Sequence, residues 1–226
     1  MPTTSTDAGV QAPSAVPVSG LRIEDYALIG DLQTAALVGR DGGIDWLCLP
    51  RFDSASCCAA LLGDARHGRW GLAPEGAVLR SVRRYRPGTL VLETDVETAD
   101  GAVRVIDFMP RRGDGPPRLM RIVEGLRGRV RMGTELVLRP DYGTIRPWVE
   151  PVADGIVATA GPDTFRLTTP IALETRDGVA TGAFDVVAGA RQRLTLTWHP
   201  SHETAPPVED ADSALARTTA WWQEWS

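Results

Sequence analysis

Between residues 78 and 198, short stretches of alternating apolar and polar side chains follow one another, and most are separated by a turn signal. The alternation is clearest over 90–98, where it has the two-residue period of a β-strand. Asp100-Gly101 then provides the glycine that a tight hairpin turn requires, and the chain returns over 103–109. Further strands are predicted over 78–85, 119–126, 129–138, 144–149, 156–160, 164–168, 171–175, 183–187 and 192–198. The number of predicted strands is larger than one open sheet usually holds. The sequence therefore predicts an all-β fold, a large two-sheet antiparallel β-sandwich over residues 21–205.

The segment before these strands has the pattern of a hairpin followed by a short helix. Residues 34–38 and 44–49 flank Arg40-Asp41-Gly42-Gly43, whose glycines permit positive φ, and this predicts a β-hairpin. Ser54 is a suitable N-cap and Gly63 a suitable stop, so a short helix is predicted near 54–63.

Residues 206–226 are predicted to form a linker helix that leads into a further domain. Two prolines form a stiff spacer, and residues 209–225 then show helical spacing with acidic residues in the first turn. One stripe of this helix is mostly apolar and consists of Ala211, Leu215, Thr218, Trp222 and Trp225. Three tryptophans, Trp221, Trp222 and Trp225, lie in its last two turns. A free chain end seldom carries so much aromatic surface, so we expect another domain to cover it.

Composition excludes several classes of partner. The formal net charge is −5, whereas nucleic-acid-binding proteins present a basic surface. Apolar runs fall short of membrane-spanning length, so neither nucleic acid nor membrane is predicted as a partner. Residues 1–20 lack the charged start and apolar stretch of a secretory signal, and they are predicted to be the disordered tail of a cytoplasmic protein. The three cysteines, Cys48, Cys57 and Cys58, lack metal or disulfide spacing and are predicted to be buried thiols in a reducing compartment.

The segment 43–54 has the composition of a sugar-binding site. It places Asp45, Trp46, Arg51, Phe52 and Asp53 around the exit of a strand. An aromatic ring stacks on the apolar face of a sugar, while arginine and aspartate bond its hydroxyl groups. In the structural alternative, the two aromatic residues belong to the core, an aspartate or serine caps the helix, and the arginine pairs with an aspartate. The residues alone leave both interpretations open.

His199-Pro200-Ser201-His202-Glu203 follows the last predicted strand. It suggests either a metal or acid/base cluster, or a hydrogen-bonded histidine at a polar strand exit. A metal site needs three or more converging ligands, and only two lie close together here. We therefore predict no metal site and no cofactor.

Several stretches together resemble a known family. These are IEDYALIGD at 23–31, TAALV at 34–38 and GGIDWLCLPRFDS at 42–54, with RYRPGT at 84–89, VIDFMP at 105–110, LTWHPSH at 196–202 and WWQEW at 221–225. This set resembles the amino-terminal domain of bacterial glycoside hydrolase family 15 proteins, which include trehalases and glucoamylase-like enzymes. The likeness runs from about residue 21 to the end, and its first motif is long enough to be specific.

The resemblance implies an amino-terminal β-sandwich followed by an α/α barrel of six helix pairs. In that family, two glutamates of the barrel perform inverting hydrolysis of an α-glucosidic bond in trehalose or α-glucans. The motifs that carry those glutamates are absent here, so we assign no catalytic residue and expect this segment alone to be inactive. The implied partners are the α/α-barrel catalytic domain, in cis or as a separate chain, and an α-glucoside at the seam. Docking is expected through Trp221, Trp222 and Trp225, and the five residues of segment 43–54 are the candidates for the seam or the active-site mouth.

Three functions remain open at this point. The chain is a non-catalytic domain that helps to shape a glycosidase, a carbohydrate-binding module, or a structural and interaction domain. Rows of exposed aromatic residues on a flat sheet would favour the binding module. The seven tryptophans are scattered instead, and three lie on the last helix, which favours docking against protein.

Overall fold

A computed structural model describes residues 21–226, and the predicted disordered tail at residues 1–20 lies outside the described residues. The described chain forms fifteen strands, three single turns of 3-10 helix and one α-helix. The strands are β1 Tyr26–Gly30, β2 Ala35–Gly39, β3 Ile44–Cys48, β4 Ser56–Cys58, β5 Arg69–Pro74, β6 Arg80–Tyr85, β7 Leu92–Glu97, β8 Gly101–Phe108, β9 Arg118–Val137, β10 Trp148–Val152, β11 Gly155–Ala160, β12 Asp163–Thr168, β13 Glu174–Arg176, β14 Val179–Val187 and β15 Arg191–Pro200. The 3-10 turns are Ile23–Asp25, Ala60–Leu62 and Ala65–His67, and the helix α1 is Ala211–Trp225. Within residues 21–226, no helix combines the length and apolarity needed to span a membrane.

The strand β9 is 20 residues long and belongs to two sheets. Its first part pairs with β8 and β15, and its second part pairs with β5 and β14. The first sheet has the order β6-β7-β8-β9-β15-β12-β11-β10, and the second has the order β1-β2-β3-β5-β9-β14-β13, with β4 on β3. The predicted all-β fold is confirmed, and its two antiparallel sheets share this one strand.

Two glycines permit β9 to pass from one sheet to the other. Gly128 has a φ of +63°, and a Cβ there would lie 2.2 Å from the Asp100 carbonyl oxygen. A Cβ at Gly125 would lie 2.0 Å from the Val187 carbonyl oxygen. The prediction of two strands over 119–126 and 129–138, separated by a turn, was therefore wrong. Glycine lets the strand bend and approach its neighbours without ending it.

The side chains on the two faces of β9 belong to two different hydrophobic cores. Leu119 and Val123 join the large cluster of buried residues to which both sheets contribute. Met120 and Ile122 face the other way, into a smaller cluster beneath α1. That cluster contains Val91, Ile106, Phe108, Met120, Ile122, Ala211, Ala214 and Leu215. The predicted linker helix is thus packed onto the outer face of the first sheet.

A fully buried ion pair joins the two sheets. Arg121 of β9 donates from Nε to Asp107 Oδ1 at 2.7 Å, within the first sheet. Its other nitrogens donate to the carbonyl oxygens of Trp70 at 3.0 Å, in β5 of the second sheet, and of Gly42 at 2.8 Å, in the turn between β2 and β3 of that sheet. The guanidinium carbon also lies 5.2 Å from the centroid of the Trp70 ring. A buried charge is tolerated only with partners of this kind.

The predicted helix near 54–63 was wrong. Residues Ser56–Cys58 form β4, which pairs with β3 in the register Leu47↔Cys58, and only Ala60–Leu62 make a 3-10 turn. The Ser54 hydroxyl accepts from the backbone N–H of Arg51, so it closes a loop and caps no helix. The pairing of these residues with β3 outweighs the local capping signals at Ser54 and Gly63.

The three cysteines are buried and unpaired, which confirms their prediction as small buried residues. Burial raises the pKa of the Cys48 and Cys57 thiols above the usual range. Since the thiolate is the reactive form, these cysteines contribute packing and are poor nucleophiles.

Candidate functional site

The structure places Asp45 inside the domain. Its carboxylate accepts hydrogen bonds from Arg69 Nε and from the Tyr26 hydroxyl, both at 2.7 Å. Arg69 also pairs with Asp41 in the turn between β2 and β3. Both oxygens of Asp45 therefore have protein partners, and the residue ties β1, β3 and β5 together.

Trp46 follows Asp45 in β3, so its side chain points to the opposite face of the strand. It is half-buried, and its ring centroid lies 6.3 Å from that of Tyr142, in the loop after β9. The alternation of the strand thus separates two residues that the sequence grouped together.

Arg51, Phe52 and Asp53 lie together at the tip of the loop between β3 and β4. Arg51 Nε donates to Asp53 Oδ1 at 2.9 Å, and the Phe52 N–H donates to the Gln33 carbonyl oxygen at 2.9 Å. The Phe52 side chain is 61% exposed. The aspartate–arginine pair anticipated by the structural alternative is present, whereas Phe52 lies outside the core.

This loop borders a groove of about 440 Å³. Its walls come from the loop after β3, the loop between β8 and β9, and the chain that leaves β15. Five prolines stiffen these walls: Pro50, Pro116, Pro117, Pro200 and Pro206. The polar and aromatic lining includes Arg51, Arg112, Trp198, His199 and Glu203. Such a mixture suits a ligand that offers both apolar faces and hydroxyl groups.

One ion pair beneath the groove was not predicted from the sequence. Arg112 Nε lies 3.1 Å from Asp31 Oδ2, and Arg112 Nη2 donates to the Pro50 carbonyl oxygen at 2.7 Å. The other oxygen of Asp31 accepts from the N–H groups of Gln33 and Thr34 and shapes the turn before β2. Burial lowers the pKa of Arg112 despite this partner. Asp31 follows a glycine in the first motif, which hints at a turn, but no local signal distinguishes Arg112 from the other arginines.

The tryptophans at the end of α1 form a cluster beside the loop between β8 and β9. Their ring centroids are 4.8 Å apart for Trp221 and Trp222, and 5.5 Å apart for Trp222 and Trp225. The Arg111 guanidinium lies over the Trp221 ring, 5.1 Å from its centroid. Trp222 is buried, whereas Trp225, on the same predicted stripe, is 65% exposed. The last residue of the chain contacts the turn at Gly88, beyond the strands that cover the earlier part of the helix.

Residues 17–218 of the chain match a family described as "Trehalase-like, N-terminal". The chain belongs to this family. Its match covers every element described above except the last turns of α1.

The curated relatives of this trehalase-like domain include several trehalases. The chain is 30% identical to a trehalase of Mycobacterium tuberculosis over 98% of its own length and 37% of the relative's. It is 29% identical to a trehalase of Mycolicibacterium smegmatis over 90% of its length and 34% of the relative's, and 24% identical to one of Thermoplasma volcanium over 96% and 36%. The chain therefore spans about a third of the length of the curated relatives it matches. The trehalase side of the predicted resemblance is confirmed.

His199 of this trehalase-like domain is buried at the strand exit, with Nδ1 2.9 Å from the Pro200 carbonyl oxygen. His202 is exposed. Among residues 21–226, no group of three or more His, Cys, Asp or Glu side chains is placed to hold a metal ion. The hydrogen-bonded histidine is the interpretation that these contacts support.

Replacing Arg51 with glutamine is expected to raise the pKa of Asp53. The Arg51 side chain is the main cause that lowers this pKa below its ordinary value of 3.8. Because the pKa of Asp53 is lowered in the folded state, its ion pair with Arg51 stabilises the fold fully above about pH 3.8. This stabilisation is lost as the pH falls through the lowered pKa. The measurement is a carboxyl carbon NMR titration, with Arg127→Gln as the distant control. An unchanged Asp53 midpoint in Arg51→Gln would contradict the pairing.

Proposed function

We propose that this chain is the non-catalytic domain of a longer glycoside hydrolase of family 15 type, which cleaves an α-glucosidic bond. Trehalose is the preferred substrate of that parent, and an α-glucan, as in glucoamylases, is the alternative. The role of the domain is to dock against an α/α-barrel catalytic domain and to shape the entrance to its active site. The alternative is a purely structural role, in which the domain does not contact the substrate. The buried, unpaired thiols fit a reducing compartment, so we place the protein in the cytoplasm.

The observation that carries this proposal is that the tryptophan cluster and the groove meet at the loop between β8 and β9. Arg111 and Arg112 are adjacent in the loop between β8 and β9. Arg111 contacts the tryptophan cluster, whereas Arg112 forms the wall of the groove. The exposed aromatic end of α1 and the Arg51 loop are therefore linked by one short segment.

The tryptophan cluster has the character of a docking surface. Tryptophan and arginine are the residues that most often dominate the energy of protein interfaces. Trp225 exposes most of its ring at the end of a helix that is itself fixed to the sheet. A partner would meet an ordered surface, so little conformational entropy would be lost on docking.

The Arg51 loop is the part of the predicted site that can face the seam. Arg51, Phe52 and Asp53 are exposed, and the groove beside them is open. Asp45 and Trp46 lie in β3, before the loop, where Asp45 bonds Arg69 and Tyr26 and Trp46 contacts Tyr142. An α-glucoside at the seam would meet the Phe52 ring and the polar Arg51–Asp53 pair.

The chemistry itself is assigned to the partner domain. Inverting glycosidases need two carboxyl groups about 6.5–9.5 Å apart across the scissile bond. The groove holds two acids, Asp114 and Glu203, and both are exposed to solvent in loops. A general acid is usually enclosed in apolar surroundings, which neither of them has. We therefore expect no glucose release from trehalose or maltose by this 226-residue chain, and release that disappears in Glu203→Gln would overturn the non-catalytic role.

Arg51→Ala in a polypeptide that joins this domain to its catalytic domain is expected to lower kcat/KM for trehalose about tenfold, which corresponds to about 1.4 kcal/mol. The reason is the loss of the Asp53 pair and of the polar edge of the seam. Arg127→Ala is the matched control, since Arg127 is also an exposed arginine in an ion pair. It lies beside the start of β8, whereas the loop that lines the groove follows the end of β8. Steady-state kinetics and thermal unfolding are measured together. Wild-type kcat, KM and Tm in Arg51→Ala would refute a role at the seam.

A further inference from the structure

The loop between β9 and β10 holds an exposed aromatic side chain on a strained backbone. Asp141 and Tyr142 both have a φ of 55°, and Gly143 has a φ of 96°. Left-handed conformations are unfavourable for non-glycine residues, so two in succession persist only if their surroundings impose them. Strain of this kind gathers at functional sites.

Hydrogen bonds fix this loop from both sides. The Tyr142 N–H donates to the Ser56 carbonyl oxygen of β4 at 3.2 Å, and the Gly143 N–H donates to the Arg139 carbonyl oxygen at 3.1 Å. Thr144 donates from its hydroxyl to both the carbonyl and carboxylate oxygens of Asp141. The loop is therefore organised before any ligand arrives.

The result of this arrangement is a supported aromatic surface. The Tyr142 side chain is 48% exposed, and the half-buried Trp46 ring lies behind it at 6.3 Å between centroids, with 40° between the planes. At this separation the rings contact each other and leave no slot between them, so a ligand would lie on the exposed side. Among residues 21–226, the Tyr142 hydroxyl has no hydrogen-bond partner.

We propose that Tyr142, backed by Trp46, is a binding platform for a neutral pyranose ring. The C–H groups on one face of a pyranose match the apolar face of an aromatic ring, and the hydroxyls at its edge match a charged group such as the neighbouring Asp141 carboxylate. Fixed aromatic rings bind with a small loss of conformational entropy, which suits a shallow site. This platform is independent of the proposed docking role, because it uses neither the tryptophan cluster nor the Arg51 loop.

The proposal is tested by titrating the 226-residue chain with trehalose, maltohexaose and glycogen, using isothermal calorimetry and affinity electrophoresis. Saturable binding of at least one of them is expected. Tyr142→Ala should weaken it about tenfold or more, which corresponds to about 1.4 kcal/mol. Tyr142→Phe should keep it, since the ring face remains. Binding of the polymer or hexamer alone would identify a glucan chain as the ligand, and equal binding of trehalose would identify a single glucosyl unit.

Trp148→Ala is the matched control, because Trp148 is 72% exposed at the start of β10 and has no aromatic neighbour among the described residues. It should bind like the wild type. Absence of binding to all three sugars, or equal binding by Tyr142→Ala with unchanged circular dichroism, would overturn the platform. Self-association that Tyr142→Ala abolishes, without sugar binding, would mark the loop as a protein contact and overturn it equally.

Discussion

Asp107→Ala is expected to destabilise the domain by about 3–5 kcal/mol, which should lower Tm by roughly 6–20 °C for a domain of this size. Asp107 is the only carboxylate that pairs with Arg121 among the described residues, and both side chains are fully buried. Removing it leaves a guanidinium charge between the sheets with two carbonyl oxygens as its remaining hydrogen-bond acceptors. Urea and thermal unfolding followed by circular dichroism measure the loss.

Glu97→Ala is the matched control for this experiment. Glu97 also bonds an arginine of β9, with Arg127 Nη2 donating to its Oε1 at 2.8 Å, but the pair is largely exposed. An exposed pair of this kind contributes about 0–1 kcal/mol. The shortest hydrogen bonds of the two pairs are similar, at 2.7 Å and 2.8 Å, so the comparison of the two variants mainly reports burial. Similar destabilisation in both would contradict the assigned role of Asp107.

The double variant Asp107→Ala/Arg121→Met tests why the pair matters. Replacing a buried ion pair by apolar side chains usually costs less than breaking it, because no charge is left unpaired. The double variant should therefore be more stable than Asp107→Ala. It should remain below the wild type, since the Trp70 and Gly42 carbonyl oxygens lose the donor that joined the two sheets. A double variant as unstable as Asp107→Ala would point to lost packing and away from charge.

Features with a local physical cause could be predicted from the sequence. Asp100-Gly101 does turn the chain between β7 and β8, and the hairpin of β2 and β3 forms around Gly42, whose φ is +81°. The helix α1 begins after Asp210, which caps it by accepting from the Ser213 N–H at 2.8 Å. In each case the residues that decide the conformation lie within a few positions of one another.

Features that depend on distant partners could not be predicted. Arg121 and Asp107 meet across two strands, and Trp46 meets Tyr142, which lies 96 positions later in the sequence. The helix expected near 54–63 failed for the same reason, since the partner of β4 is β3. The candidate site shows this division as well, because Arg51 and Asp53 pair locally as anticipated, while Arg112 reaches the groove from a loop far along the chain.

Ala214→Asp is expected to detach α1 from the first sheet. Ala214 is 1% exposed and lies in the cluster that includes Phe108, Met120 and Ile122. A carboxylate there would be buried without a partner, at a cost of several kcal/mol, about 3–5 by comparison with broken buried pairs. Since the helix contributes only one side of this small core, it is expected to leave the sheet while the sandwich itself stays folded.

Ala216→Asp provides the control, because it makes the same substitution two residues away on the exposed side of the same helix. Both variants lose the same intrinsic helix propensity, roughly 0.7 kcal/mol, so any further difference reports burial. The readouts are the emission of the tryptophans on α1 and the rate of trypsin cleavage at Arg217. Ala214→Asp should shift the emission to longer wavelength and speed cleavage, and Ala216→Asp should change neither by much. The same pair of variants tests the proposed docking. If the tryptophan cluster docks only while α1 is fixed to the sheet, the proposed longer hydrolase should lose activity with Ala214→Asp and keep it with Ala216→Asp. Equal trypsin cleavage of the two variants would mean that the cluster beneath α1 does not hold the helix in place.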